Sequence, residues 1–235
     1  MPSLNTQIDA ITPSGTITAP DSFSITSIFN TLDPSTADKI TVTGDNLIAT
    51  NADAGLGVAM GVRAFAPQTS GKYYFEIEWT AIPFLGTNGG LAIGPPGTDP
   101  MDLSEGNNGA CPAGVLLKID LFVDAYGVQT ATSLTTPPTG QSAGDVLGCA
   151  VDLDHGFVWF IVAGGPDVGL GWNGDGSNPG ANIGGIPLQT GVALVPYIIF
   201  EQNSVVGDGT IAVNFGDSPY SNPQIPLGFT FWPVP

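Results

Sequence analysis

Turn-forming residues interrupt this chain so often that a long helix has nowhere to form. Glycine occupies 33 and proline 21 of its 235 positions, about twice their roughly 12% combined share in average proteins. Both destabilise helix interiors, glycine through lost backbone entropy and proline through its missing N–H. Between the breaks the pattern is that of strands. Tyr73, Phe75, Ile77 and Trp79 alternate with Tyr74, Glu76 and Glu78, the period of two that gives a strand one buried face. Further strands are predicted over 47–50, 55–60, 91–94, 114–119, 121–126, 146–153, 157–162, 192–200 and 210–215. Turn signals separate them, among them Thr43-Gly44-Asp45-Asn46, Asn88-Gly89-Gly90, Asp154-His155-Gly156 and Asp208-Gly209. Short strands at this spacing predict an all-β sandwich or barrel, which at this length is commonly one domain.

Charge then narrows function. Only 11% of residues are charged, 4 basic against 21 acidic, for a net charge of −17; about 25% charged is usual. A nucleic-acid binder needs clustered Lys and Arg, so no nucleic-acid partner is expected. With 42% of residues hydrophobic, the chain does not read as disordered. No apolar stretch approaches the ~18 residues of a membrane span; Val192–Phe200, among the longest, is interrupted by Pro196. The first basic residue is Lys39, so the basic start of an export signal is missing and synthesis in a reducing cytoplasm is expected. Cys111 and Cys149 show no CxxC or zinc spacing; two small buried residues are expected, with a bridge left open.

Three stretches look irregular. Residues 1–21, punctuated by Pro2, Pro13 and Pro20, read as an amino-terminal arm that docks on a neighbouring chain, and 22–235 as the sandwich. Pro95–Pro112 and Gly164–Pro187 read as long loops, and loops beyond ~12–15 residues are usually functional or disordered. Candidate binding residues are Asn107 and Asn108 in the first and Trp172, Asn173 and Asp175 in the second. An indole face beside amide and carboxylate groups can stack on a sugar or grip a peptide. The plainer alternative is that Trp172 plugs the end of the sandwich.

Four blocks carry a family resemblance. Ser70-Gly71-Lys72-Tyr73-Tyr74-Phe75-Glu76-Ile77-Glu78 resembles the "GKYYFEVE" strand of SPRY domains. Gly144–Asp154 followed by Gly156-Phe157-Val158-Trp159-Phe160 is similar to their "GDVIGVAVDLD…G…WF" hairpin. Val195-Pro196-Tyr197, Val213-Asn214-Phe215-Gly216, Pro219-Tyr220 and Pro226-Leu227-Gly228-Phe229 resemble "FPAV…VNFG…PF…PPGF", and Ile40–Leu47 the "TLSNGNL" opening. Order and spacing hold from about residue 30 to 229. Ala163-Gly164-Gly165-Pro166 departs from the expected "KNG" turn, and the basic residues of the loop that follows are missing. Trp172-Asn173-Gly174-Asp175 and Asn178-Pro179 resemble the bacteriophage and bacterial branch. The resemblance implies a concanavalin-like antiparallel β-sandwich that presents rim loops to protein partners. In its register Val158 and Phe160 point inward, leaving Phe157, Trp159 and Ile161 as an outer apolar patch. Either the long loop covers that patch, the favoured reading, or another chain does, which makes Trp159 a further binding candidate.

Catalytic readings fare poorly. Glu76 and Glu78 share one face, as in some sandwich glycosidases whose carboxyls lie ~5–5.5 Å apart, but two solvated acids are the simpler expectation. The one histidine, His155, sits in a turn, and no GxSxG, Walker or GxGxxG motif appears. Asp152 and Asp154 resemble the start of a calcium loop without its position-12 Glu; solvated acids are again expected, with no metal and no cofactor. The expectation is therefore a non-enzymatic virion protein, exposed on head or tail. It would act by docking on other virion subunits, as a homo-oligomer or part of a larger assembly, and by attachment to a host-surface glycan or protein. The alternatives are a bacterial adhesion or glycan-binding module and, remotely, a glycoside hydrolase.

Overall fold

The structure, a computed structural model, describes residues 30–51, 58–82, 90–103, 114–118, 122–126, 128–133, 142–165, 171–202, 209–222 and 225–233. The arm expected over 1–21, together with Asn107, Asn108 and Cys111, lies outside the described residues.

Fourteen strands are described in chain order: β1 (Ile40–Thr43), β2 (Ile48–Asn51), β3 (Val58–Arg63), β4 (Lys72–Ala81), β5 (Gly90–Gly94), β6 (Val115–Lys118), β7 (Phe122–Ala125), β8 (Val128–Ser133), β9 (Val146–Asp152), β10 (Phe157–Gly164), β11 (Ile186–Pro187), β12 (Val195–Gln202), β13 (Thr210–Asn214) and β14 (Thr230–Phe231). One sheet runs β1-β2-β13-β4-β9-β10-β11, with β14 joining the start of β4; the other runs β3-β12-β5-β6-β7-β8. All pairings are antiparallel except β14 on β4, where Thr230 faces Tyr73. Helical structure among the described residues is limited to three 3-10 turns, Pro34–Thr36, Pro100–Leu103 and Pro179–Ala181. Each opens on a proline, whose fixed φ suits a first helical position. The architecture is the all-β, concanavalin-like antiparallel sandwich expected.

Alternation decides the interior. Phe75, Ile77 and Trp79 of β4, Leu147, Cys149 and Val151 of β9, and Val158, Phe160 and Val162 of β10 join one continuous core with Met60, Ile198 and Phe200 of the second sheet. Trp79 meets Phe200 edge-on across the two layers, ring centroids 5.7 Å apart. Cys149 is a free thiol, and burial pushes its pKa up. Four described strands fall outside the predicted ranges: β1, although Ile40 and Val42 alternate with threonines; β8, which mixes Val128 and Ala131 with Gln129, Thr130 and Thr132; and β11 and β14, two-residue strands that exist through pairing with β10 and β4.

One expectation is corrected here. β4 does not have a single buried face: Tyr74 and Glu76 are as buried as Phe75 and Ile77. β4 is a central strand, and chain that returns after β13 closes over its outer side.

Candidate functional site

The outer face of the larger sheet carries a second, smaller aromatic core. Tyr74 of β4, Ala150 of β9, Trp159 of β10 and Phe229 form it, with Phe157, Trp172 and Tyr220 packed around. The register places Tyr74 beside Ala150 and Ala150 beside Trp159, so small Ala150 leaves room for the large rings on either side. Tyr74 meets Tyr220 edge-on at 4.9 Å and Trp172 at 6.2 Å, while Trp159 meets Phe229 at 6.3 Å. Edge-to-face contacts of this kind add about 0.5–1.5 kcal/mol each beyond area burial.

The loop 171–185 supplies the lid. Trp159 is fully buried, and its indole N–H donates to the Ile183 carbonyl at 2.9 Å. Gly185 lies directly on the ring: a Cβ there would stand 2.6 Å from Trp159 Cζ2. The patch read on this face is thus covered by the chain's own loop and carboxyl-terminal segment. Trp159 holds that loop down and presents no surface to a partner.

The other predicted residues of this loop build the lid itself. Asn173 is buried at a φ of +52°, a left-handed conformation Asn tolerates. Its backbone N–H donates to Phe160 O (2.7 Å), its Oδ1 accepts from Phe160 N–H (2.9 Å), and its Nδ2 donates to Gly184 O (2.8 Å). Asn173 therefore extends the edge of β10 and staples both ends of the lid. Asp175 is exposed, but its Oδ1 accepts from the backbone N–H and hydroxyl of Ser177, and Asn178 caps the next 3-10 turn through Ala181 N–H. Trp172 is half-buried against Tyr74. The lid's polar side chains are engaged with its own backbone.

Sequence reasoning missed a polar clasp beside this cluster. Glu76 is only 2% exposed. Its Oε1 accepts from the Tyr74 hydroxyl (2.7 Å) and Asn222 N–H (2.8 Å), and its Oε2 from Ser221 N–H (2.7 Å). Tyr220 completes it by donating to Tyr74 O at 3.0 Å. Burial, followed by the nearby Glu76 charge, pushes the Tyr74 and Tyr220 phenols well above their ordinary range. The reading of Glu76 and Glu78 as two solvated acids holds for Glu78 alone: the strand places them on one face, but residues 218–222 cover only Glu76. The signal was present in the Pro219-Tyr220 block, whose partner strand the sequence does not reveal.

Asp152 is likewise not solvated. Burial works against its charge, but the Lys72 ammonium at 2.7 Å and His155 Nδ1 at 2.8 Å outweigh it, and the carboxyl is held below its ordinary value. Lys72 also stands 5.7 Å above the Phe229 ring. Asp154 accepts from Gly71 N–H, so the pair read as a possible calcium start is engaged within the protein.

No protein-family model and no curated protein sequence matches this chain. Solved structures do. The SPRY domain of human HERC1 superposes with a TM-score of 0.54 at 14% identity, over 80% of this chain and 99% of that domain. The fold is SPRY-like. The TRIM65 PSpry domain (TM-score 0.49, 13% identity, 79% of this chain and 88% of that one) and stonustoxin (0.49, 18%, 79% and 27%) are also similar. In this SPRY-like sandwich the aromatic cluster on the larger sheet's outer face is covered, and the rim beside it carries apolar side chains into solvent. Leu227 is 87% exposed and Ile183 60%. They stand on adjoining segments, because a Cβ on Gly180 of the lid would lie 3.6 Å from Leu227 Cβ.

Proposed function

We propose that this chain is a non-catalytic protein-docking module and a structural part of a virus particle, placed on head or tail. The rim formed by 178–183 and 225–227 contacts neighbouring subunits, and the arm over 1–21 docks on an adjacent chain. Host-surface attachment is a further role of the same exposed rim. Isolated surface leucines need no explanation, but apolar side chains grouped on adjoining exposed segments mark interaction sites. The exposure of Leu227 and Ile183 on segments that are otherwise pinned is the observation that carries the reading. The SPRY-like fold and the low share of charged residues support it.

A hydrolase has less support. Glu76 is committed to three donors of its own chain, and the cavity beside it, about 210 Å³, is smaller than the roughly 300–1,000 Å³ of ordinary ligand sites. A glycan-binding module has less support too, because Trp172 is half-buried against Tyr74.

The test is incorporation. A chain carrying both Ile183→Asp and Leu227→Asp, produced together with the particle, is expected to fold and to be missing from purified particles; removal of residues 1–21 is expected to do the same. Wild-type incorporation of both variants would overturn the proposal. Saturable binding on a glycan array, lost in Trp172→Ala, would favour the adhesion reading instead.

A further inference from the structure

We propose that the cavity beside Glu76 receives an arginine side chain supplied by a docking partner. The inference rests on the docking reading only for who owns the arginine; the pocket's chemistry stands by itself.

Glu76 is almost completely buried, and all three of its recorded partners are donors: one phenol and two backbone N–H groups. That arrangement suits a carboxylate, which only accepts, and Oε2 retains a second acceptor position. A buried charge ordinarily has a counter-charge, and this chain has none to spare. Of its four basic residues, Lys39 pairs with Asp38, Arg63 with Asp33 and Lys72 with Asp152, while Lys118 lies on the opposite sheet. Among the described residues no basic side chain pairs with Glu76, so a cation that joins it comes from another molecule.

The cavity's shape selects the cation. It lies between β4, β9, β13 and residues 218–221, and combines Glu76 and Glu78 with the apolar Val146, Ala212 and Pro219. Asn214 stiffens the wall by donating to Ser218 O and Pro219 O. At about 210 Å³ it has the size for one side chain. Apolar walls suit an alkyl stem while the charged head meets acids. Two acidic residues lining one pocket suit a guanidinium, whose planar fork serves several acceptors and is less strongly hydrated than an ammonium. Among the described residues no group of three or more His, Cys, Asp or Glu is placed to hold a metal ion.

Titration of the full-length protein with N-acetyl-L-arginine amide, followed by ¹H–¹⁵N NMR, tests the inference. Saturable shifts of the Ser221 and Asn222 amides are expected. The uncharged isostere N-acetyl-L-citrulline amide should leave them in place. Glu78→Gln should weaken binding about two- to fivefold, as for a solvent-exposed ion pair, and Glu76→Gln should abolish it. Should Glu76→Gln fail to fold, Glu78→Gln and the citrulline control decide. Unmoved Ser221 and Asn222 amides, equal shifts with citrulline, or shifts with calcium chloride alone would overturn the inference. Loss of particle incorporation in the Ile183/Leu227 variant alongside a failed titration would leave the docking reading intact.

Discussion

The two faces of the larger sheet are built on different physics. The inner face is apolar and continuous: Phe75, Val158 and Phe160 belong to the core shared with the second sheet, and every one follows the period of two. The outer face is a mosaic in which aromatic rings alternate with a carboxylate clasp and a Lys72–Asp152–His155 cluster. It is closed by loops, not by a sheet. The inner face depends on area removed from water, which is non-directional. The outer face depends on donors and acceptors meeting at fixed distances, so it is the face whose failure should be local and sensitive to pH.

Neighbouring positions of β10 give the sharpest contrast. Phe160→Ala empties the inner core and is expected to cost about 3–5 kcal/mol, read as a lower denaturant midpoint of the whole fold. Trp159→Phe shrinks the outer plug and removes the bond to Ile183 O, at a cost of about 1–3 kcal/mol. Its amide exchange should rise in 178–185 well before it rises in β4; equal acceleration everywhere would mean the two faces unfold as one. Trp79→Phe is expected to cost less than Trp159→Phe, because the buried Trp79 indole N–H has no hydrogen-bond partner among the described residues and its removal abolishes an unmet donor.

Acid and alkali should act on the outer face. Asp152 has a folded pKa below its ordinary 3.8, so its stabilisation is present above that value and drains away as pH falls through the lower, folded one. Asp152→Asn should flatten the acid limb of a melting-temperature profile. Tyr74 and Tyr220 have folded pKa values above 10.0, so their contribution is complete below pH 10 and declines as pH rises beyond it. Tyr220→Phe should shrink that alkaline loss. The smallest expected effect is that of Leu227→Asp, within about 0.5 kcal/mol for an exposed side chain. A larger loss would show that Leu227 belongs to the outer cluster and not to the rim.

Much of this was legible along the chain. β4, β9, β10 and β13 lie within a few residues of their predicted ranges because alternation and turn residues are local signals, carried by side chains adjacent in the sequence. The lid was legible as a long loop, and Trp172 as one of its aromatic residues. The parts that bear on function were not. Asn173 looked like a ligand group and is a staple; Glu76 looked solvated and is the buried centre of a clasp; Leu227, embedded in an ordinary-looking block, is among the most exposed apolar residues. Each outcome depends on a partner far away in sequence: Gly184 across the lid for Asn173, Ser221 and Asn222 for Glu76, Gly180 for Leu227.

The amino-acid order alone therefore determined a two-layer antiparallel sandwich and the residues of its interior, because hydrophobic burial needs only the right side chain on the right side of a strand. Tertiary structure alone decided which acids are buried and which apolar side chains reach solvent, and it chose between the chain's own loop and another chain as the cover of Trp159. Those are questions of where the chain's return segments land, and no local periodicity encodes that.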